Sequence, residues 1–206
     1  QIPKNEELRD IAKRLKKERP NMIKIIRFFS KLKYPGYKSS AHYLSLKEEG
    51  EYSLHNGRIV SDHGLSVEQK EYKNHLDEYI VKHSTAKFAV ADGKEYMTGA
   101  LARVNNNYKQ LNTSVKRLIT ESGIKFPSNN PFHNNFAQAL EVLHWADRAI
   151  EIIENNTFKD EDPVNVKPRE GHGIACIEVP RGMLFHDYKL DSEGYVKEAN
   201  IITPTV

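Results

Sequence analysis

The residues best placed to do chemistry are Glu178-Val179-Pro180-Arg181-Gly182, with His186 and Asp187 close behind. Proline fixes its own backbone angle and removes a ladder donor. Glycine reaches angles other residues avoid. Arg181 therefore sits on a stiff corner between two β-rich runs. A guanidinium held there suits two tasks. It can pair with a carboxylate, Glu178 or Glu170, as a structural link. It can also meet an anion or a developing negative charge. The residues alone leave both tasks open.

Other reactive side chains are quieter. Cys176 lies in the apolar run Ile174-Ala175-Cys176-Ile177, where a small buried residue is expected rather than a thiolate nucleophile with a base. There are nine histidines, but no His-x-x-x-His and no Cys-x-x-Cys. His42, His55, His63, His75 and His83 read as turn, surface or capping residues. His133 and His144 are not at a spacing that ligand pairs favour, and His144 beside Trp145 reads as helix packing. Gly171-His172-Gly173 is too short for a dinucleotide loop and precedes no helix.

The elements that must position these residues can be read in outline. Apolar residues from Leu8 to Leu32 recur at helical spacing, predicting a helix over 5–33 that Pro20 kinks or splits and Pro35-Gly36 ends. Residues 41–67 turn to β character. There Tyr52-Ser53-Leu54 and Arg58-Ile59-Val60 form a hairpin across His55-Asn56-Gly57. A short amphipathic helix is expected over 67–82, then a hairpin of 85–90 and 95–98 across Ala91-Asp92-Gly93. Asn112 or Thr113 caps a helix that Gly123 stops. A long helix follows Pro131, with Phe136, Leu140, Leu143, Ala146, Ile150 and Ile153 on its stripe. Residues 157–169 form a connector. Two strand runs over 171–205 flank the turn Asp191-Ser192-Glu193-Gly194. The fold class is α+β, long helices with several β-hairpins. One domain over 1–206 is expected, with a helix and hairpins in 1–110, helices in 111–158, and the connector and Arg181 hairpin in 159–206.

Composition limits the partners. The 206 residues carry Lys+Arg 31 against Asp+Glu 28, a net charge of +3, too balanced for a nucleic-acid surface. The run Lys13-Arg14-Leu15-Lys16-Lys17-Glu18-Arg19 reads as a solvated helix face. Mean hydropathy is -0.67, and no apolar run approaches the roughly 20 residues of a membrane span, so no membrane insertion is expected. The lone cysteine and the lack of a signal peptide fit a cytoplasmic location. The chain starts without Met and ends Pro204-Thr205-Val206, as expected of a piece of a longer protein.

Glu178-Val-Pro-Arg-Gly-Met-Leu-Phe-His-Asp-Tyr188, Asp191-Ser-Glu-Gly194 and Ala199-Asn-Ile-Ile-Thr-Pro-Thr205 together resemble the arginine-bearing hairpin of nickel–iron hydrogenase large (alpha) subunits. The form is similar to the cytoplasmic branch linked to NAD(P), coenzyme F420, heterodisulfide or sulfur chemistry. Tyr52-Ser-Leu-His-Asn-Gly-Arg-Ile-Val60, Lys82-His-Ser-Thr-Ala86, Gly99-Ala-Leu-Ala-Arg-Val-Asn105 and Asn130-Pro-Phe132 resemble the same family, in order. The resemblance implies the central, cofactor-lining part of a catalytic protein that oxidises H2 or reduces protons, inactive as this piece alone.

The resemblance further implies roles for single residues. Arg181 is the catalytic group, assisting heterolytic H2 cleavage as base or as electrostatic stabiliser, the second being favoured. Pro180 and Thr205 contact the cyanide ligands of the iron, with Glu178 and His186 as outer supports. The Ile201 carbonyl is a ligand for a separate magnesium or iron ion. The cofactor is a nickel–iron centre with cyanide and carbonyl ligands, with magnesium possible. Partners are a small subunit with iron–sulfur clusters and further electron-transfer subunits. The family's two cysteine pairs are absent, so no nickel or iron ligands and no bound cofactor are expected here. Two alternatives stand: the related quinone-linked respiratory complex subunit, or a non-enzymatic scaffold or interaction module that keeps the hairpin for packing.

Overall fold

The structure is a computed structural model and describes residues 3–205. Gln1, Ile2 and Val206, the ends of the expected domain, lie outside the described residues. The elements in chain order are α1 (Asn5–Ser30), β1 (His42–Lys47), β2 (Arg58–Ser61), β3 (Ser66–Val67), β4 (Leu76–Ile80), β5 (Lys87–Ala91), β6 (Tyr96–Met97), α2 (Ala100–Asn107), α3 (Thr113–Ser122), α4 (Asn134–Asn155), β7 (Gly171–Val179), β8 (Gly182–Leu190) and β9 (Val196–Ile202). The α+β class and the segregated elements agree with the sequence. The chain divides into two compact units that interleave along it. Of the described residues, one takes 3–34, 112–125 and 135–166; the other takes 35–111, 126–134 and 167–205.

The first unit is helical. α1 runs through Pro20 without the expected break. Ala12, Arg19 and Ile26 recur at seven-residue spacing on both sides of the proline, so a split would pull one packing stripe out of line. Asp147 on α4 is the polar knot of this unit. It takes Arg19 Nε and Nη2 at 2.7 and 3.0 Å, Ser114 Oγ at 3.0 Å and Asn112 Nδ2 at 3.3 Å. Lys16 pairs with Glu154. Two of the cations in the early basic run thus meet carboxylates on α4 instead of standing alone in solvent. α3 starts as expected, with Asn112 Oδ1 accepting from the Val115 N–H at 3.0 Å. It stops at Gly123, whose φ of 73° is left-handed.

The second unit holds three sheets and α2. The first sheet has the order β3-β2-β1-β6, antiparallel except for the parallel β1–β6 pair. The second is the antiparallel pair β4–β5, and the third is β7-β8-β9. Leu44, Leu46, Ile59, Tyr72, Leu76, Cys176, Met183, Phe185 and Ile202 form its buried core.

Several expectations change here. Tyr52-Ser53-Leu54 is not a strand, and β2 pairs with β1 instead. Residues 67–82 are not a helix. They split into a short 3-10 turn at Gln69–Asn74 and β4, because Tyr72 and Leu76 both reach the core while β4 gains a partner strand in β5. The expected pairing of 85–90 with 95–98 gives way to β4–β5 and β1–β6. The last segment has three strands rather than two.

One buried histidine predicts a pH effect. The Asn112 N–H donates to His144 Nδ1 at 3.3 Å, a bond that requires neutral imidazole on the acceptor side. Burial pushes the His144 pKa down. Its contribution to stability is complete above the unfolded pKa of about 6.5 and is lost as pH falls through the lower folded value. The urea midpoint should drop between about pH 7.5 and pH 5, and His144→Gln should remove part of that drop. Equal slopes in the two chains would rule out His144 as the cause.

Candidate functional site

The corner at Arg181 is a two-residue hairpin tip. The β7–β8 ladder closes at Val179 opposite Gly182, leaving Pro180 and Arg181 beyond it. Pro180 and Arg181 are exposed, while Glu178 and Gly182 are buried. The Arg181 guanidinium has no hydrogen bond or ion pair among the described residues. Neither Glu178 nor Glu170 holds it, so the structural pairing open at the sequence level is not made.

Glu178 is instead one half of a buried ion pair. Arg103 Nη1 donates to Glu178 Oε2 at 2.9 Å, and their side chains are 3% and 0% exposed. The other carboxylate oxygen accepts from the Leu46 N–H at 2.8 Å, and the Glu178 N–H donates to the Leu54 carbonyl at 2.6 Å. Arg103 also donates from Nη1 to the Val179 carbonyl at 2.9 Å and from Nη2 to the Pro180 carbonyl at 3.2 Å. One guanidinium thus binds the carboxylate and both carbonyls that lead into Arg181.

α2 carries Arg103, and it is fastened on three sides. Asn106 Nδ2 donates to the Tyr43 carbonyl at 3.0 Å and Asn107 Nδ2 to the Leu46 carbonyl at 2.9 Å. Asn105 exchanges two bonds of 2.8 Å with the backbone of Ser128. At the start of the helix, Asn134 Oδ1 accepts from the Leu101 N–H at 3.1 Å. The backbone just before α2 abuts the tip. A Cβ on Gly182 (φ 142°) would fall 1.9 Å from Thr98 Oγ1, and one on Gly99 would fall 3.1 Å from the Arg181 carbonyl. Only glycine fits at 182. Sequence reasoning missed Arg103 and α2. The signal was present in Gly99-Ala-Leu-Ala-Arg-Val-Asn105, read only as a resemblance.

The remaining candidates scatter. His186 and Glu178 face opposite sides of the sheet, since His186 pairs across from Ala175 and Glu178 from Met183. His186 Nδ1 meets Tyr188 Oη at 3.1 Å, so it does not support Arg181. Thr205 is exposed and makes no hydrogen bond among the described residues. Ile201 lies in β9 opposite His186, 42% exposed.

Asp187 is buried on the core side. It accepts from Tyr72 Oη at 3.0 Å and His172 Nε2 at 2.7 Å, and pairs with Lys73 Nζ at 2.6 Å. Burial alone would raise its pKa; the bonds from Lys73, His172 and Tyr72 outweigh that and hold it at about 2.

The chain does not fit a nickel–iron centre by itself. Cys176 is its single cysteine, buried, with its thiol pKa pushed up by burial and by the nearby Glu178 charge. A cysteine binds metal as thiolate. Among the described residues, no group of three His, Cys, Asp or Glu is placed to hold a metal ion.

No protein-family model matches the chain. Curated relatives do. The chain is 31% identical over 210 residues to the alpha subunit of sulfhydrogenase 1 from Pyrococcus furiosus, covering 99% of this chain and 48% of that protein. It is 30% identical over 177 residues to a protein of the vhu F420-non-reducing hydrogenase from Methanococcus voltae, covering 79% and 42%. The chain is homologous to the hydrogenase alpha subunits. It spans about half the length of the curated relatives it matches. The fold agrees with that of the hydrogenase large subunits. One crystal structure, of an NAD+-reducing [NiFe]-hydrogenase in the H2-reduced state, aligns with TM-score 0.73 at 18% identity, over 97% of this chain and 49% of that one. The Ni-Fe-Se hydrogenase of Desulfomicrobium baculatum aligns with TM-score 0.70 at 17% identity, over 100% and 51%.

Two predictions follow from this part of the hydrogenase fold. Glu178→Leu breaks the buried pair with Arg103 and should cost about 3–5 kcal/mol in denaturant unfolding, much of it regained in Arg103→Met/Glu178→Leu. A loss under about 1 kcal/mol would mean the pair is solvated. Asp187 has a depressed pKa, so its contribution is whole above the unfolded value of about 3.9 and fades as pH falls to about 2. Asp187→Asn should flatten acid unfolding in that window, followed by circular dichroism.

Proposed function

We propose that this chain is the central part of the catalytic protein of a hydrogenase, an oxidoreductase acting on H2, and that Arg181 is its catalytic group. The observation that carries this is the contrast at the hairpin tip. The backbone around Arg181 is held on both sides, while its guanidinium is exposed and has no partner among the described residues. Its permanent positive charge is available to an outside group.

The nickel–iron centre that the relatives imply would be held by the half of the large subunit that this chain does not contain. When present, it supplies the site of H2 activation. This chain's contribution is charge and position. Splitting H2 unevenly separates a proton from a hydride, and a fixed cation stabilises negative charge as it develops. The guanidinium is proposed to act electrostatically and not as a base. Pro180 and Thr205 are proposed to line the same site. The Ile201 carbonyl is proposed as a ligand for magnesium or iron. The complete enzyme would work with a small subunit that carries iron–sulfur clusters and with further electron-transfer proteins, in the cytoplasm. Among the described residues, no helix is long and apolar enough to cross a membrane.

The test is Arg181→Lys in the complete hydrogenase. Lysine keeps the charge but loses the planar fork. H2 turnover should fall about 100- to 1000-fold, as when a preorganised charge-stabilising donor is lost, with nickel and iron content unchanged. Unaltered turnover would remove Arg181 from the catalytic machinery.

A further inference from the structure

Arg181 cannot set its own position, because its side chain bonds to nothing in the described chain. The β7–β8 ladder ends one residue short of the tip on each side. Pro180 has no N–H to anchor it. Thr98 Oγ1 lies 3.5 Å from the Arg181 carbonyl, at the limit of a hydrogen bond. Among the described residues, the bonds to the carbonyls leading into the tip come from Arg103.

Resting on the assignment of Arg181 above, we propose that Arg103 is a positioning residue for Arg181. It acts through the Val179 and Pro180 carbonyls and is held in register by Glu178. The geometry needs a guanidinium. Nη1 meets the Glu178 carboxylate and the Val179 carbonyl, and Nη2 the Pro180 carbonyl, within one planar fork. An ammonium is a compact point charge and cannot span that set from the same stem. α2 makes the placement doubly specific. Gly99, which admits the Arg181 carbonyl, stands one helical turn before Arg103, whose N–H donates to the Gly99 carbonyl at 3.0 Å. One rigid helix end therefore supplies both the socket for residue 181 and the clamp on residues 179 and 180.

A purely structural ion pair would lower global stability and leave the tip as ordered as the sheet. A positioning residue makes a different forecast. In Arg103→Gln/Glu178→Gln the charges leave together, so the fold keeps no unpaired ion. Backbone 15N order parameters measured on the full chain should fall at Arg181 and Gly182 from the rigid range of about 0.85 to below about 0.6. Those of Phe185 and Ile202 should not move. Arg103→Lys, which keeps the charge, should show the same local loss and covers the case in which the double variant does not fold. Unchanged order at Arg181 in the folded variant, or a loss spread evenly over β7, β8 and β9, overturns the proposal.

The complete hydrogenase gives a second arm. Arg103→Lys should lower kcat about 100-fold with KM for H2 and metal content unchanged, the scale of a small misplacement of a catalytic group. Combined with Arg181→Lys it should add little, because the two act as a unit. Additive losses count against positioning. If Arg181→Lys is itself silent, the catalytic assignment fails alone, and the order parameters still decide whether Arg103 holds the tip.

Discussion

The buried Arg103–Glu178 pair is the constraint on which the second unit is arranged. Taking both charges out of water carries a desolvation cost of several kcal/mol per ion, which mutual attraction offsets only when every remaining donor and acceptor is also met. Part of that condition is met by β1 through the Leu46 N–H, and by the end of β7 through the Val179 and Pro180 carbonyls. The pair therefore demands that α2, β1 and the hairpin tip keep one mutual geometry. The asparagines of α2 enforce it by bonding Tyr43, Leu46 and Ser128 backbone groups. Gly182 permits it by leaving room for the Thr98 side chain, and Gly99 by giving the Arg181 carbonyl a close approach.

How much of this was legible in the sequence depends on how local the cause was. Asn112 and Gly123 bounded α3 correctly, because a cap and a left-handed stop act within one helical turn. Pro131 and the stripe from Phe136 to Ile150 marked α4 for the same reason. The 67–82 stretch failed because its apolar spacing fits a helix as well as a 3-10 turn followed by a strand. The choice fell to tertiary partners, Phe185 for Tyr72 and Ala91 for Leu76. α2 was invisible as a helix. It has eight residues and ends in three asparagines, poor helix formers, and side-chain bonds to other segments hold it in place.

The site was legible in part for a related reason. The stiff corner and its arginine follow from the local chemistry of Pro180 and Gly182. What holds the corner does not. Glu178 was a natural partner for Arg181 by proximity in sequence, yet its carboxylate points into the core, on the face shared with Cys176, Met183 and Phe185. There it meets an arginine 75 positions away in the chain. The alternation of a strand decides this. Glu178 is on the inner face, and Arg181 lies past the end of the ladder, where alternation no longer applies. His186 was lost to the same rule, on the outer face beside Tyr188.

Two arginines thus divide one task by environment. Arg103 is buried and paired with Glu178, and its Nη1 and Nη2 groups make it a frame. Arg181 is exposed and uncompensated by its own chain, so its field is free, but an exposed guanidinium in water is screened and weak. Its effect grows only when a low-dielectric surface closes over it. Cys176 shows the reverse arrangement within the same unit. Burial and the nearby Glu178 carboxylate push its thiol pKa up, so this sulfur packs the core.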